Sequence, residues 1–323
     1  MIRRGLGRTA VLVGVAAMTL LATTVGVAGT ANAATTATPT TTTQDTTSIT
    51  QRVAAAMKAA APAAVGAWRQ VSETAEFTPT HNEGVATVNP PGGTPSQYYV
   101  GTLSVPVDLA ANWGHIGDPD SSKGYIFNDF QYSGSNPTSK LFRVTTPSGT
   151  HYDYPHTLVA NEEYNNSWVA VSPDSQWMVN GEWDTMNHFL VFPTPILNPS
   201  TPQTGGALNL ATYLDLDHPV RDVQGCTFFS STRLLCSADD PDTDLFPTSK
   251  QLLQIDLPHA LDGTEMTGHV TALGQLPLSS ICSGTYEVEG DDYDPATGDL
   301  RVLIIQPGAC EVVTELYTFT LSS

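Results

Sequence analysis

Cationic side chains are scarce in this chain: 13 Lys and Arg stand against 32 Asp and Glu, a formal net charge of −19. Nucleic acid is disfavoured as a partner, because a phosphate backbone is held by clustered cations and here Lys and Arg are scattered singly. Long apolar runs are scarce as well. The one long enough to concern a bilayer, Ala10 to Val27, follows Arg3, Arg4 and Arg8 and precedes Ala31-Asn32-Ala33. A positive start, an apolar run and a small-residue cleavage signature in that order read as a secretory signal peptide over residues 1–33. The expected product is secreted, with no stable membrane anchor after cleavage. Arg3-Arg4 leaves both the twin-arginine and the general export routes open. Loss of the three arginines takes the net charge from −19 to −22, which makes divalent cations, calcium above all, the expected charged partners.

Several catalytic signatures are missing too. The chain has no Gly-x-Ser-x-Gly, Ser-x-x-Lys, His-Glu-x-x-His, Gly-x-x-x-x-Gly-Lys or Gly-x-Gly-x-x-Gly, which argues against α/β serine hydrolases, acyl enzymes of the β-lactamase kind, zincins and nucleotide-binding folds. Cysteines number only four, Cys226, Cys236, Cys282 and Cys310, with no Cys-x-x-Cys. In an exported chain they are expected to oxidise. Cys226 and Cys236 bracket a stretch that reads as a tight hairpin, so the expected pairs are Cys226 with Cys236 and Cys282 with Cys310.

What is present is β-forming. Residues 34–47 are Thr-rich and too polar to bury a core, and read as a flexible linker. Residues 48–67 contain an Ala-rich run before Pro62 and read as a short helix. From 68 to 323 come short runs such as Gly124-Tyr-Ile-Phe127, Trp168-Val-Ala-Val171 and Leu300-Arg-Val-Leu-Ile-Ile305, separated by Gly, Pro, Asn and Asp. The fold class is all-β, and so many short strands suit a β-propeller. Five repeat starts align: Asn82-Glu83-Gly84-Val85, Gly114-His115-Ile116-Gly117, Asn166-Ser167-Trp168-Val169, Val223-Gln224-Gly225-Cys226 and Val288-Glu289-Gly290-Asp291. Five blades are expected, with six as the alternative because the spacing is uneven.

Val171-Ser172-Pro173-Asp174-Ser175-Gln176-Trp177 resembles the Ser-Pro-Asp-Gly turn of many propeller repeats, with Ser175 in place of the glycine. Glu289-Gly290-Asp291-Asp292-Tyr293-Asp294-Pro295-Ala296-Thr297-Gly298 resembles the Glu-Gly strand and Asp-Pro-x-Thr-Gly turn of phytase-like and gluconolactonase-like propellers. The resemblance covers two short patches. It implies a metal at the channel mouth that polarises an ester or a phosphate.

If the five starts lie on innermost strands, Glu83, His115, Asn166, Gln224 and Glu289 converge on a central channel. Glu83, Asn166, Gln224 and Glu289 would supply oxygen ligands for calcium and His115 the proton carrier. A wet channel mouth whose polar groups bind nothing in particular is the plainer alternative. Asp215-Leu-Asp217-His218 with Arg221-Asp222 and the run Asp239-Asp240-Pro241-Asp242-Thr-Asp244 read as acidic surface, the latter lacking the glycine and distal glutamate of a calcium loop. His151 to His156, and Trp177, Trp183, Asp184 and His188, mix aromatic and polar groups as a glycan-binding face does, or as ordinary blade packing does.

Two functions follow. The leading one is a noncatalytic extracellular binding module for a glycan, peptide or protein. The alternative is a calcium-dependent esterase, lactonase or phosphatase acting on a small molecule at the channel.

Overall fold

A computed structural model describes residues 64–322. The signal peptide, the Thr-rich linker and most of the Ala-rich helix lie outside the described residues. The last residues assigned to that helix, 64–67, are not helical: Ala64–Val65 is strand β1, turned back at Gly66 onto β2 (Trp68–Phe77). Gly66 has a φ of 58°, a value that glycine reaches without cost and that makes this tight return.

The strands gather into five antiparallel groups. The first is β3 (Gly84–Val88) with β4 (Ser96–Val100). The second is β5 (Trp113–Ile116) and β6 (Asp120–Ser122), both paired with β7 (Tyr125–Tyr132), then β8 (Ser139–Thr145) and β9 (His151–Thr157). The third is β10 (Trp168–Val171), β11 (Trp177–Gly181), β12 (Thr185–Pro193) and β13 (Thr212–Arg221). The fourth is β14 (Val223–Ser230), β15 (Arg233–Asp239), β16 (Lys250–Asp256) and β17 (Met266–Gln275). The fifth is β18 (Glu287–Asp294), β19 (Asp299–Ile305) and β20 (Val313–Leu321), whose outer neighbour is the N-terminal strand β2 (Trp68–Phe77). That pairing of β2 with the last strand closes the ring. The third and fourth groups also join edge to edge, through three parallel pairs between β13 and β17.

The first strands of all five groups meet at one residue, and that radial arrangement is a β-propeller. Asp118, between β5 and β6, is fully buried. Its carboxylate accepts the Val85 N–H from β3 and the Asp291 N–H from β18, each at 3.0 Å. Its own N–H donates to the Ser167 carbonyl and its carbonyl accepts from Val169 N–H on β10, also at 3.0 Å. From β14, Gly225 packs so close that a Cβ there would lie 2.6 Å from the carboxylate. Inner strands have one edge with no strand beside it, so their N–H groups need another acceptor once water is gone. Asp118 supplies it, and the centre is closed at this level where the sequence pointed to a channel.

Glycine at Gly84, Gly225 and Gly290 is a demand of space. A Cβ at Gly290 would overlap both the Asp118 carboxylate and the Gly84 Cα. The two turns that carried the family resemblance are also built. Ser175 takes a left-handed φ of 66° in a glycine's place, its N–H reaching the Ser172 carbonyl at 2.7 Å. Gly298 has a φ of 77° and closes the β18–β19 turn on the Asp294 carbonyl at 2.8 Å.

Sheets stacked on both sides bury both faces of a strand. Thus β10 and most of β8, β15 and β19 are continuous apolar or buried runs with little in-and-out alternation. Both expected disulfides are present. Cys226–Cys236 joins directly opposed residues of β14 and β15, and Cys282–Cys310 ties the segment before β18 to the turn before β20. These bonds, and the lack among the described residues of any helix long and apolar enough to cross a membrane, are compatible with a secreted protein.

Removing the Asp118 carboxylate leaves two buried N–H groups without an acceptor, at roughly 1–3 kcal/mol each. Asp118→Ala should therefore lower the urea-unfolding free energy by about 3 kcal/mol, and Gly290→Ala should destabilise at least as much. An unchanged midpoint for either variant would contradict this account of the centre.

Candidate functional site

Because Asp118 plugs the axis, a cup remains on the side where the inner strands begin. It has a volume of about 270 Å³ and is lined by Asn82, Glu83, His115, Gln131, Asn165, Trp183, Gln224, Glu287, Glu289 and Ile305. Four of the five polar residues picked from the repeat starts, Glu83, His115, Gln224 and Glu289, come together here. Their spacing ahead of the inner-strand glycines carries each to the same end of its strand.

Asn166 does not reach the cup. It is fully buried, its side-chain N–H groups donate to the Phe130 and Leu141 carbonyls at 3.3 and 3.2 Å, and its Oδ1 accepts from Asn180 at 2.8 Å. Asn165, one residue earlier, lines the cup in its place. Adjacent positions in extended chain face opposite ways, so a one-residue error in register exchanges the two.

The three carboxyls of the cup differ in what holds them. Glu83 Oε1 accepts from Asn82 Nδ2 at 2.7 Å and Thr102 Oγ1 at 3.2 Å, and its Oε2 lies 3.6 Å from His115 Nδ1. Burial pushes its pKa up to about 7 against these donors, with Glu287 adding to the rise. Glu287, exposed at the rim, accepts from Gln224 Nε2 at 3.5 Å. Glu289 is only 5% exposed, and no donor among the described residues reaches its carboxyl group. Its pKa lies well above the ordinary glutamate value, through burial first and then through Glu83, Glu287, Asp239 and Asp118. His115 keeps 42% of its side chain exposed, and partial loss of hydration lowers its pKa.

The other aromatic and acidic stretches have structural partners. Tyr154 is buried and donates to the Pro202 carbonyl at 2.6 Å, and Trp177 packs against Gly263. Trp183 alone of those aromatics belongs to the cup. In the acidic loop after β15, Arg221 stands 2.7 Å from Asp240 and 2.5 Å from Asp244, a cation supplied by the chain itself. Asp217 pairs with His269 at 2.5 Å across the β13–β17 junction.

A second buried polar cluster gave no sequence motif. Lys140 on β8 is fully buried, with Nζ 3.0 Å from Glu162 and 3.8 Å from Glu182. Glu162 also accepts from His156 at 2.9 Å, and Glu182 lies 3.4 Å from His188. Burial lowers the Lys140 pKa while the two glutamates oppose that shift. These pairs hold the segment between β9 and β10, which delivers Asn165 to the cup. The signal that was available is a lysine directly before the apolar pair Leu141-Phe142 on a strand.

Among the described residues, no three His, Cys, Asp or Glu side chains stand together in a geometry that holds a metal ion. No protein-family model and no curated protein matches the chain. Solved structures with some likeness to it include a gluconolactonase from Xanthomonas campestris, at 14% identity over 64% of this chain and 57% of that one, with a TM-score of 0.34. A glycosyl hydrolase from Bacteroides ovatus shows 12% identity over 66% of this chain and 68% of its own, with a TM-score of 0.39. An endo-arabinanase of the GH43 class from Bacillus licheniformis shows 11% identity over 75% and 93%, with a TM-score of 0.42. The chain spans little more than half the length of the gluconolactonase. At such identities the likeness concerns the chain trace and not the chemistry of a site.

Burial gives the cup and its surroundings a pH dependence of definite sign. Glu83, Asp120 and Asp239 each have a pKa pushed up to about 7, with burial as the largest cause. Between the ordinary carboxyl values and 7 the folded chain binds more protons than the unfolded one, so stability present below about pH 4 is lost as the pH rises through 7. The urea midpoint should be higher at pH 5 than at pH 7.5, and Glu83→Gln should narrow the gap. Equal midpoints in the unaltered protein would refute it.

Proposed function

We propose that the protein is a secreted, noncatalytic binding module whose axial cup receives a single sugar-sized, hydroxyl-rich ligand. The observation that supports this reading is the company Trp183 keeps: it lines the same cavity as Gln131, Asn165 and Gln224. An aromatic face covers the apolar side of a sugar ring, and amides, which both donate and accept, match hydroxyls that do the same. The cup's volume of about 270 Å³ is close to the lower limit of roughly 300 Å³ for small-molecule sites, which suits one ring and not a long chain.

The alternative, calcium-dependent hydrolysis, draws on the 3.6 Å approach of His115 to Glu83. As they stand the donors do not fit the ion: Glu83 is already bonded to Asn82 and Thr102, and Asn166 is turned away.

Calorimetric titration of the protein from Ala34 onward with a panel of monosaccharides tests the binding reading. Trp183→Ala should weaken binding about tenfold, the equivalent of about 1.4 kcal/mol. Undiminished binding by that variant would remove the cup from the argument. Hydrolysis of an ester, lactone or phosphate that is lost in His115→Ala would favour the alternative.

A further inference from the structure

Glu289 is the one carboxyl of the cup that nothing in the chain satisfies. It is nine-tenths buried or more, it faces the cavity, and no donor among the described residues reaches it. Glu83 has Asn82 and Thr102, and Glu287 has Gln224. Its carboxyl opens onto the cavity, where a donor carried by a ligand can reach it.

The charge around it narrows the kind of donor. No lysine or arginine lines the cup, and its only ionisable groups besides the three glutamates belong to His115. The charged groups that act most strongly on Glu289 are Glu83, Glu287, Asp239 and Asp118, all carboxyls. Lys250 on β16 is already paired with Asp239. A neutral hydroxyl would offer Glu289 one hydrogen bond and leave the charge uncompensated. An ammonium group offers three N–H donors and a positive charge, enough for Glu289 and Glu83 together. Trp183 in the same wall adds an aromatic face, which also attracts a cation.

Building on the sugar-binding reading above, we infer that the ligand is an amino sugar with a free, protonated amine, and that Glu289 receives that amine. The sugar ring then lies against Trp183 and its hydroxyls meet the amides, while the amine occupies the acidic floor. Acetylation of the amine removes the charge and two of its donors, so N-acetylated sugars belong among the poor ligands.

The test is calorimetric titration of the protein from Ala34 onward at pH 6.5, below the ordinary α-amino pKa of about 7.7, with glucosamine, N-acetylglucosamine and glucose as probes. Glucosamine should bind at least tenfold tighter than the other two. Glu289→Gln, which keeps shape and removes charge, should erase that preference while glucose binding persists. Should that variant fail to fold, the exposed Glu287→Gln should still reduce the preference severalfold. Equal binding of glucosamine and glucose, or a preference that survives Glu289→Gln in a folded protein, overturns the amine assignment and leaves the sugar reading standing. Absence of binding by all three overturns both. Millimolar calcium that binds in the unaltered protein but not in Glu289→Gln, and displaces glucosamine, makes the cation a metal and overturns the amine.

Discussion

The closure of five inner strands on one buried carboxylate is the constraint on which the rest of this molecule depends. Strands that converge at an axis expose N–H groups with no neighbouring strand to accept them, and at the centre there is no water to do so. Asp118 answers this for β3 and β18 through its side chain and for β10 through its backbone. The cost is crowding: Gly84, Gly225 and Gly290 pack around it where any Cβ would collide. A plugged axis then converts what would be a channel into a cup open on one side.

Around that axis the chain buries an unusual amount of ionisable chemistry. Asp129 and Asp291 are enclosed, and among the described residues neither carboxyl has a hydrogen-bond partner. Burial raises both well above the ordinary aspartate value. Further out, charge is paired and not suppressed. Arg301 bonds Asp292 and the Thr87 hydroxyl, tying β19 to β18 and β3, and Arg143 spans Asp108 and Asp153. The Lys140 cluster does the same for the segment that reaches the cup.

This division explains why the cup has chemical character. Its walls are held by buried amides that bond across strands, such as Asn166 and Asn180, which lock β10 against β7, β8 and β11. Its floor contains the group that is not complete. A rigid wall with one open carboxyl is preorganised for a ligand that brings its own donors, because little ordering remains to oppose binding.

Much of the fold was legible in the chain itself, and the candidate site was half legible. Short strands between turn residues announced an all-β protein, a polar residue ahead of a small one marked each inner strand, and Cys226 and Cys236 flanked their own hairpin. Glu83, Gln224 and Glu289 were found because they precede Gly84, Gly225 and Gly290, and such local patterns follow from what each backbone position tolerates. Asn165 in place of Asn166, the choice of Trp183 over Trp177 for the cup, the closing of the axis by Asp118 and the burial of Lys140 were decided only by the tertiary structure. Each of these turns on which way a side chain faces once strands far apart in sequence come within bonding distance, and no single stretch of chain contains that information.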